Sequence, residues 1–272
     1  KDEKRGKGLE EVMKRFWKDL KEHYRYALYS AKSELKSEVA NSYLNWIWWV
    51  LEPFCFMLIY TFIFGYIFNT KEPFFSAFVF IGLTAWDFFN RCLTQSVKLM
   101  RNNKSIVTKV YIPKFILLIS RMFFNGYKMP ISFGIIVAMV IFFRIPLTLN
   151  ILYVIPIMIT LFVLTFALMT HLLHYGVFVQ DLTNVVTIVL RMIFYMTGIF
   201  YNIETRVPER FVGLLMHANP MALLLSSLRK CILYGEAPDM KWIGIWFVIS
   251  VVIAILGIRK IYKNENSYVK VI

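Results

Sequence analysis

The sequence predicts an all-α membrane protein with six transmembrane helices. Hydrophobic residues make up 58 % of its 272 residues, and the mean hydropathy of +0.57 is higher than a soluble domain of this length requires. The apolar residues form long stretches, each close to the roughly 20 residues that a helix rising about 1.5 Å per residue needs to cross a bilayer. The predicted spans are residues 46–68, 74–97, 115–143, 151–179, 185–201 and 242–258.

An amphipathic helix is predicted in the polar region 1–45, before the first span. Apolar residues recur there every three or four positions, with Lys and Glu between them. Such a helix is suited to the headgroup layer of a membrane, and packing on a soluble partner is the alternative. Tryptophans at the start of the first span are typical of an interfacial anchor. The residues expected at the membrane interface are Phe16, Trp46, Trp48 and Trp49.

The distribution of positive charge predicts the topology. A formal net charge of +14 suits nucleic-acid binding only when Lys and Arg form one exposed basic face. Here they concentrate in residues 1–46, 98–121 and 259–272, and cytoplasmic flanks of membrane proteins are enriched in these residues. We therefore expect a multi-pass protein with both termini in the cytosol, the tail 263–272 included, and no nucleic-acid partner.

A further apolar region, 211–233, is interrupted at Asn219-Pro220. The residue before a proline is disfavoured in a helix, so the region predicts two short helices that meet at a bend. Neither is long enough to span a bilayer. We expect a re-entrant hairpin on the exterior side over residues 207–235, with Asn219 and Pro220 as an exterior gate. A hairpin lying flat at the interface is the alternative.

Ionisable and aromatic residues inside the spans are candidates for the transport path. Asp87 and Arg91 lie four residues apart on one helix face, where they are expected to neutralise each other. Lys128 has no partner on its own helix, so it either faces a polar cavity or pairs with a neighbouring helix.

Aromatic side chains on the first and fifth spans indicate either ordinary packing or a lining on which sugars stack. The candidate path residues are Tyr60, Phe64, Phe68, Asp87, Arg91, Lys128, Phe194, Tyr195 and Tyr201.

The polar segment between the second and third spans contains a short apolar pattern. Ile106, Val107, Val110 and Tyr111 are spaced for about one and a half helical turns, and Pro113 would end the segment. Such a helix is suited to contact a soluble partner, and a plain connecting loop is the alternative. The sequence lacks the Gly-x-x-x-x-Gly-Lys-Ser/Thr motif that binds phosphates. We therefore expect no cofactor on this chain and no enzyme activity of its own.

Several motifs, taken in order, resemble the permease subunits of ABC-2 type exporters, which move lipid-linked O-antigen, capsule or wall teichoic acid out of bacteria. The similarity covers about residues 16–262 and implies a transmembrane domain at 46–262. The motifs are Trp46-Ile-Trp-Trp-Val-Leu-Glu52-Pro53, Tyr60-Thr-Phe-Ile-Phe64-Gly65, Gly82-Leu-Thr-Ala-Trp86-Asp-Phe-Phe89, the segment 103–114, Gln180-Asp181-Leu182 and Asn219-Pro220.

This resemblance implies a subunit of the bacterial cytoplasmic membrane that forms a homodimer, contacts membrane lipids and works with two ATP-binding cassette subunits. ATP and Mg would be bound by those partners, and the substrate would be a polyprenyl-pyrophosphate-linked glycan. Two other interpretations stay open from the residues alone: a carrier for an ion or small solute, and a membrane enzyme acting on lipid-linked sugars. The residues implied in coupling to the ATPase are Asn103, Ile106, Val107, Lys109, Tyr111, Pro113, Gln180 and Asp181.

Overall fold

The computed structural model describes the backbone of residues 2–40, 45–70 and 72–271, and the side chains of these residues except 2–9, 39, 45 and 46. Regular structure in these ranges is helical throughout, with no strand, which confirms the predicted all-α class. The α-helices are α1 (Asp2–Ala40), α2 (Asn45–Tyr60), α3 (Phe75–Asn102), α4 (Lys104–Lys109), α5 (Lys114–Gly126), α6 (Met129–Phe142), α7 (Val154–Phe178), α8 (Leu182–Met196), α9 (Ile203–Arg206), α10 (Glu209–Ala218), α11 (Pro220–Arg229) and α12 (Met240–Val271). Thr61–Ile67 and Lys230–Tyr234 extend α2 and α11 as π-helical turns, and Leu149–Tyr153 is a 3₁₀ turn before α7.

Helix α7 lies at the centre of the bundle, where it packs against both α3 and α12. The backbones of α3 and α7 approach closely at Gly176, because a Cβ atom there would collide with the carbonyl of Val97. Small residues at such crossings let two membrane helices pack backbone to backbone. These three helices form the packed centre of the protein, with buried Phe side chains on α3, buried Leu on α7 and buried Ile on α12.

The N-terminal helix α1 packs along α5. Phe16 is buried and its ring lies 4.8 Å from that of Phe115, between centroids. At the other end of the contact, the Glu38 carboxylate lies 2.8 Å from Lys128 Nζ. The apolar stripe of α1 is therefore covered in part by α5: Phe16 is buried, while Leu20 and Leu28 are half-buried.

The predicted span 115–143 is two helices, α5 and α6, which are separated at Tyr127 and Lys128. Pro130 occupies the first turn of α6. A proline cannot donate a hydrogen bond to the carbonyl four residues earlier, and its ring collides with that group, so the helix is interrupted before it.

Four helical segments are long and apolar enough to cross a membrane: Ile47–Ile67, Lys114–Phe142, Leu149–Phe178 and Met240–Val271. The pair Glu209–Ala218 and Pro220–Tyr234, bent by 99°, makes a fifth if it is counted as one span. Of the two other spans expected from the sequence, α3 has sufficient length but carries Asp87 and Arg91. Helix α8 has only 15 residues. The structure thus supports four or five apolar spans, fewer than the six predicted.

Candidate translocation path and coupling surface

The charged side chains of α2 and α3 form one ion-paired group. Arg91 Nε donates to Asp87 Oδ2 at 2.9 Å, as their spacing predicts, and Arg91 Nη2 donates to Glu52 Oε2 at 2.9 Å. Asp87 lies 12 residues from the start of α3 at Phe75, about 18 Å along the helix axis. Glu52, the partner of Arg91, belongs to the apolar segment Ile47–Ile67, which is long enough to cross a membrane, and pairing lowers the cost of charge in such a segment.

Lys128 lies beside this group and has a partner on another helix. Its ammonium lies 2.8 Å from a carboxylate oxygen of Glu38 and above the rings of Trp49 and Phe124, at 4.6 and 4.3 Å. It also lines a cavity of about 40 Å³ with Asp87, Arg91, Thr84 and Asn125. Lys128 thus pairs with a residue of another helix and also faces a polar cavity, the two alternatives considered from the sequence.

The small cavity is polar enough to hold water. Thr84 Oγ1 and Asn125 Oδ1 are buried and have no hydrogen-bond partner in the described part of the chain. A volume of about 40 Å³ exceeds the roughly 10–15 Å³ that one water molecule needs by the same kind of measure. The cavity beside these two residues is therefore large enough for water.

The aromatic residues of the first and fifth predicted spans come together around Phe200. Its ring lies 4.2 Å from Tyr60, 5.2 Å from Phe64 and 5.2 Å from Phe194, between centroids. Phe68 continues the row at 5.6 Å from Phe64. Tyr195 packs edge-on against Phe194, and Tyr201 donates a hydrogen bond to the Tyr195 carbonyl at 2.9 Å. Phe200 is one of the aromatic residues of the fifth predicted span but was not among the candidate path residues; it follows the end of α8 and lies at the centre of this cluster.

Asn219 forms the bend between α10 and α11. Its Oδ1 accepts hydrogen bonds from the backbone N–H groups of Met221 and Ala222, at 3.1 and 3.3 Å, which caps α11. Its Nδ2 donates to Thr197 Oγ1 at 3.2 Å, just beyond α8. Pro220 fits the first turn of α11, where it loses no helical hydrogen bond.

The two arms of this hairpin differ in environment. Helix α11 is buried along most of its length, whereas α10 exposes Phe211 and Leu214. The buried arm is held by Arg229, which sequence reasoning did not single out. Its guanidinium donates to the carbonyls of Phe78 (3.0 Å), Gly198 (2.8 Å) and Ile199 (2.9 Å).

The segment after α3 forms the short helix α4 and then turns into α5. Val107 is buried at 5 % exposure and Ile106 is half-buried, so these two anchor the segment. Lys109 is exposed, while Val110 and Tyr111 are 54 % and 64 % exposed. Asn103 Nδ2 donates to the Leu99 carbonyl at 2.8 Å, and Pro113 directly precedes α5.

Arg15 ties this segment to both termini of the chain. It donates to Tyr111 Oη at 2.6 Å and to Glu265 Oε1 at 2.8 Å. Partial burial lowers the pKa of Arg15, but the hydrogen bond and charge of Glu265, with the contribution of Tyr111, raise it above its ordinary value overall. Arg15 is therefore a permanent cation that joins α1, the α4–α5 segment and α12.

Gln180 and Asp181 are exposed in the short turn between α7 and α8. This turn lies at the same end of the bundle as α4, because Arg101 Nη2 donates to the Val177 carbonyl at 3.2 Å. The predicted coupling residues from two separate parts of the sequence therefore share one end of the molecule.

The predicted interfacial residues have different environments. Trp48 is exposed, Trp49 lies beside Lys128, and Phe16 is buried against α5. The side chain of Trp46 lies outside the described residues. No group of three His, Cys, Asp or Glu residues that could hold a metal ion occurs in the described ranges.

Comparison with known proteins identifies the family of this chain. A family model described as ABC-2 type transporter matches residues 28–233. An O-antigen export system permease protein RfbA of Klebsiella pneumoniae is 24 % identical over 240 residues, which cover 88 % of this chain and 92 % of that protein. One of the same name from Myxococcus xanthus is 26 % identical over 232 residues, 85 % of this chain and 89 % of that protein. The chain belongs to the ABC-2 type transporter family, as its motifs predicted.

Proposed function

We propose that this chain is the membrane subunit of an exporter of lipid-linked polysaccharide in the bacterial cytoplasmic membrane. The names of its relatives, O-antigen export system permeases, support polysaccharide as the substrate class. ATP and Mg would be bound by two separate ATP-binding cassette subunits, because the sequence has no phosphate-binding motif. A polyprenyl-pyrophosphate carrier for the glycan is part of this proposal.

The observation that carries the proposal is a pair of exposed aromatic side chains at the edge of the bundle that α2 forms. Helix α2 packs mainly against α3, and only 6 % of the most apolar window of Ile47–Ile67 is buried. Tyr66, at 80 % exposure, and Phe62 stack on this open face. A homodimer with its two-fold axis at this edge would line the seam with sugar-stacking rings from both copies.

The proposed topology has six spans, with α3 and α8 crossing the membrane beside the four strongly apolar segments. Helix α3 is long enough, and its two charges are paired. The α4 end of the bundle would be cytosolic because Lys and Arg concentrate there, and both termini would lie on that side. The bend at Asn219 and Pro220 would then be exterior and act as the gate.

Crosslinking tests the seam. A Tyr66→Cys variant, made after Cys55→Ser removes the exposed native thiol, is expected to form a disulfide-linked dimer in membranes. Phe142→Cys is the matched control, since Phe142 is also 80 % exposed but lies on α6. Crosslinking of Phe142→Cys and not of Tyr66→Cys would place the contact between copies elsewhere and contradict the proposed path.

A second experiment tests coupling to an ATPase. Val110→Asp puts a charge on the exposed side of the segment and is expected to abolish polymer export while leaving the fold intact. Val107→Asp serves as the contrasting variant, because burial of its carboxylate should unfold the segment. A folded Val110→Asp protein that exports at the wild-type rate would exclude this surface from coupling.

Two further observations weigh against the other interpretations. The charged residues that an ion carrier would need in its spans are paired with one another, as Arg91 with Glu52 and Asp87. A membrane enzyme acting on lipid-linked sugars would need a pair of carboxylates available for acid–base chemistry, and Glu204, which lies near Glu209 in the sequence, pairs instead with Lys230 at 2.7 Å.

A further inference from the structure

An apolar groove of about 630 Å³ lies between α1, α5 and α7. Phe16 and Leu28 form its α1 wall, and Phe162 and Phe166 form its α7 wall. Gly126 lies at its base, where the absence of a side chain leaves room. The groove has the shape and lining that an acyl chain requires.

The position of the groove relative to the membrane follows from helix lengths. Gly126 lies 16 residues from Phe142, the far end of α6, which is about 24 Å along the axis. The hydrocarbon core is about 30 Å thick, so the groove lies in the leaflet nearer to α4. Because α1 touches Phe115 at Phe16 and Lys128 at Glu38, it slants through the headgroup layer of that leaflet.

A basic stripe on α1 borders the groove. Leu28 lies on the same flank of the helix as Lys21, Arg25 and Lys32, which are seven, three and four residues away from it. All three cations are exposed, and none has a carboxylate partner within salt-bridge distance in the described part of the chain. Tyr24, also exposed, lies between them and has the amphipathic character of a residue at the headgroup level.

We infer that the groove is a binding site for an anionic glycerophospholipid of the bilayer. One acyl chain fills the groove between α5 and α7, and the phosphate lies against Arg25 in the middle of the stripe, where Lys21 and Lys32 on either side add to the positive potential. An apolar groove alone would accept any acyl chain, so the selectivity for anionic lipid comes from the stripe. The bound lipid fills the space beside α1 and so supports the end of α1 that carries Arg15. The leaflet assignment rests on the proposed topology, but the binding does not.

Native mass spectrometry of the full chain tests the site. The protein is released from nanodiscs of phosphatidylcholine and phosphatidylglycerol in equal amounts, and the retained lipids are counted. We expect phosphatidylglycerol to be retained about tenfold or more over phosphatidylcholine, since each basic residue near a membrane surface attracts anionic lipid appreciably. A triple Lys21→Gln, Arg25→Gln, Lys32→Gln variant should lose this preference, and these exposed positions leave the fold unchanged.

The groove itself is tested by filling it. Gly126→Phe places a ring in the space, whereas Gly134→Phe is a matched helical glycine with no neighbouring atom within 4 Å. Only Gly126→Phe should lose the retained lipid. A Lys98→Gln, Lys263→Gln, Lys270→Gln triple variant removes equal charge outside the groove lining and should keep the preference.

Four results would overturn the inference. The first is equal retention of the two lipids by the wild type. The second is equal loss of lipid in Gly126→Phe and Gly134→Phe. The third is loss of preference in the control triple variant, which would indicate general surface charge. The last is displacement of phosphatidylglycerol by added polyprenyl phosphate at equal concentration, which would assign the groove to the carrier of the substrate. A polymer-export defect with normal lipid retention would concern the proposed function alone.

Discussion

The contact between Gly82 and Arg229 predicts strong non-additivity between two substitutions. Arg229 is 4 % exposed and its guanidinium is fixed by three backbone carbonyls, those of Phe78, Gly198 and Ile199. A Cβ atom at Gly82 would lie 2.5 Å from Nη2 of Arg229, closer than such atoms approach. Gly82→Ala must therefore either break hydrogen bonds of the guanidinium or push α11 away from α3.

The magnitudes follow from the groups involved. A hydrogen bond to a charged group contributes about 1.5–3 kcal/mol, and overpacking costs about 1–3 kcal/mol. We expect Gly82→Ala to lower the free energy of unfolding by about 2–3 kcal/mol. Arg229→Met loses all three hydrogen bonds and should cost about 3–5 kcal/mol. The double variant should cost no more than Arg229→Met alone, because the space vacated by the guanidinium accepts the new methyl group.

The free energies are measured by SDS titration of the purified protein in mixed micelles, followed by tryptophan fluorescence. Gly134→Ala and Arg210→Met serve as controls, since Gly134 has open space around it and Arg210 is exposed. The predicted coupling between Gly82 and Arg229 is about 2 kcal/mol. Additive effects, or a Gly82→Ala variant as stable as the wild type, would refute the geometry of this contact.

Three other substitutions have defined expectations in the same titration. Asn219→Ala should cost about 1 kcal/mol through loss of the α11 cap, while Asn219→Asp, which keeps the capping oxygen, should cost less; equal losses would exclude capping as the cause. Gly176→Ala should destabilise the protein far more than Gly134→Ala, because its methyl group meets the rigid backbone of α3, and similar losses would argue against that close approach. Lys128→Met should be more destabilising alone than together with Glu38→Gln, because the single change removes the cation that lies 2.8 Å from the Glu38 carboxylate, whereas the double change also removes the charge that this cation balances; a more severe double variant would contradict the pairing.

The sequence predicted those features whose cause is local. Asn219-Pro220 interrupts a helix because of proline geometry, and Asp87 meets Arg91 because both lie on one helix. The interruption before Pro130 had an equally local cause, although the length of the apolar stretch concealed it. Such signals need no knowledge of tertiary structure.

Structural features that depend on contacts between distant segments leave no such local signal in the sequence. The partners of Arg229 are backbone carbonyls some 30 and 150 positions away, and carbonyls are present at every residue. Arg15 similarly joins Tyr111 and Glu265, which no spacing rule connects. Phe16 shows a further limit of prediction from sequence, because an apolar stripe has the same pattern whether lipid or another helix covers it.

The distribution of packing separates a rigid part of the molecule from a loosely attached one. Helix α7 packs closely along both α3 and α12, and Arg229 holds the buried α11 against α3 through its hydrogen bond to the Phe78 carbonyl. Helix α2 packs mainly on α3, and its Glu52 pairs with Arg91. Because α4 directly follows α3, a force that a partner applied to the segment 103–114 would act on the rigid part first. The rigid part would then move as a unit, and the displacement would concentrate between α3 and α2, at the aromatic edge where the proposed path lies.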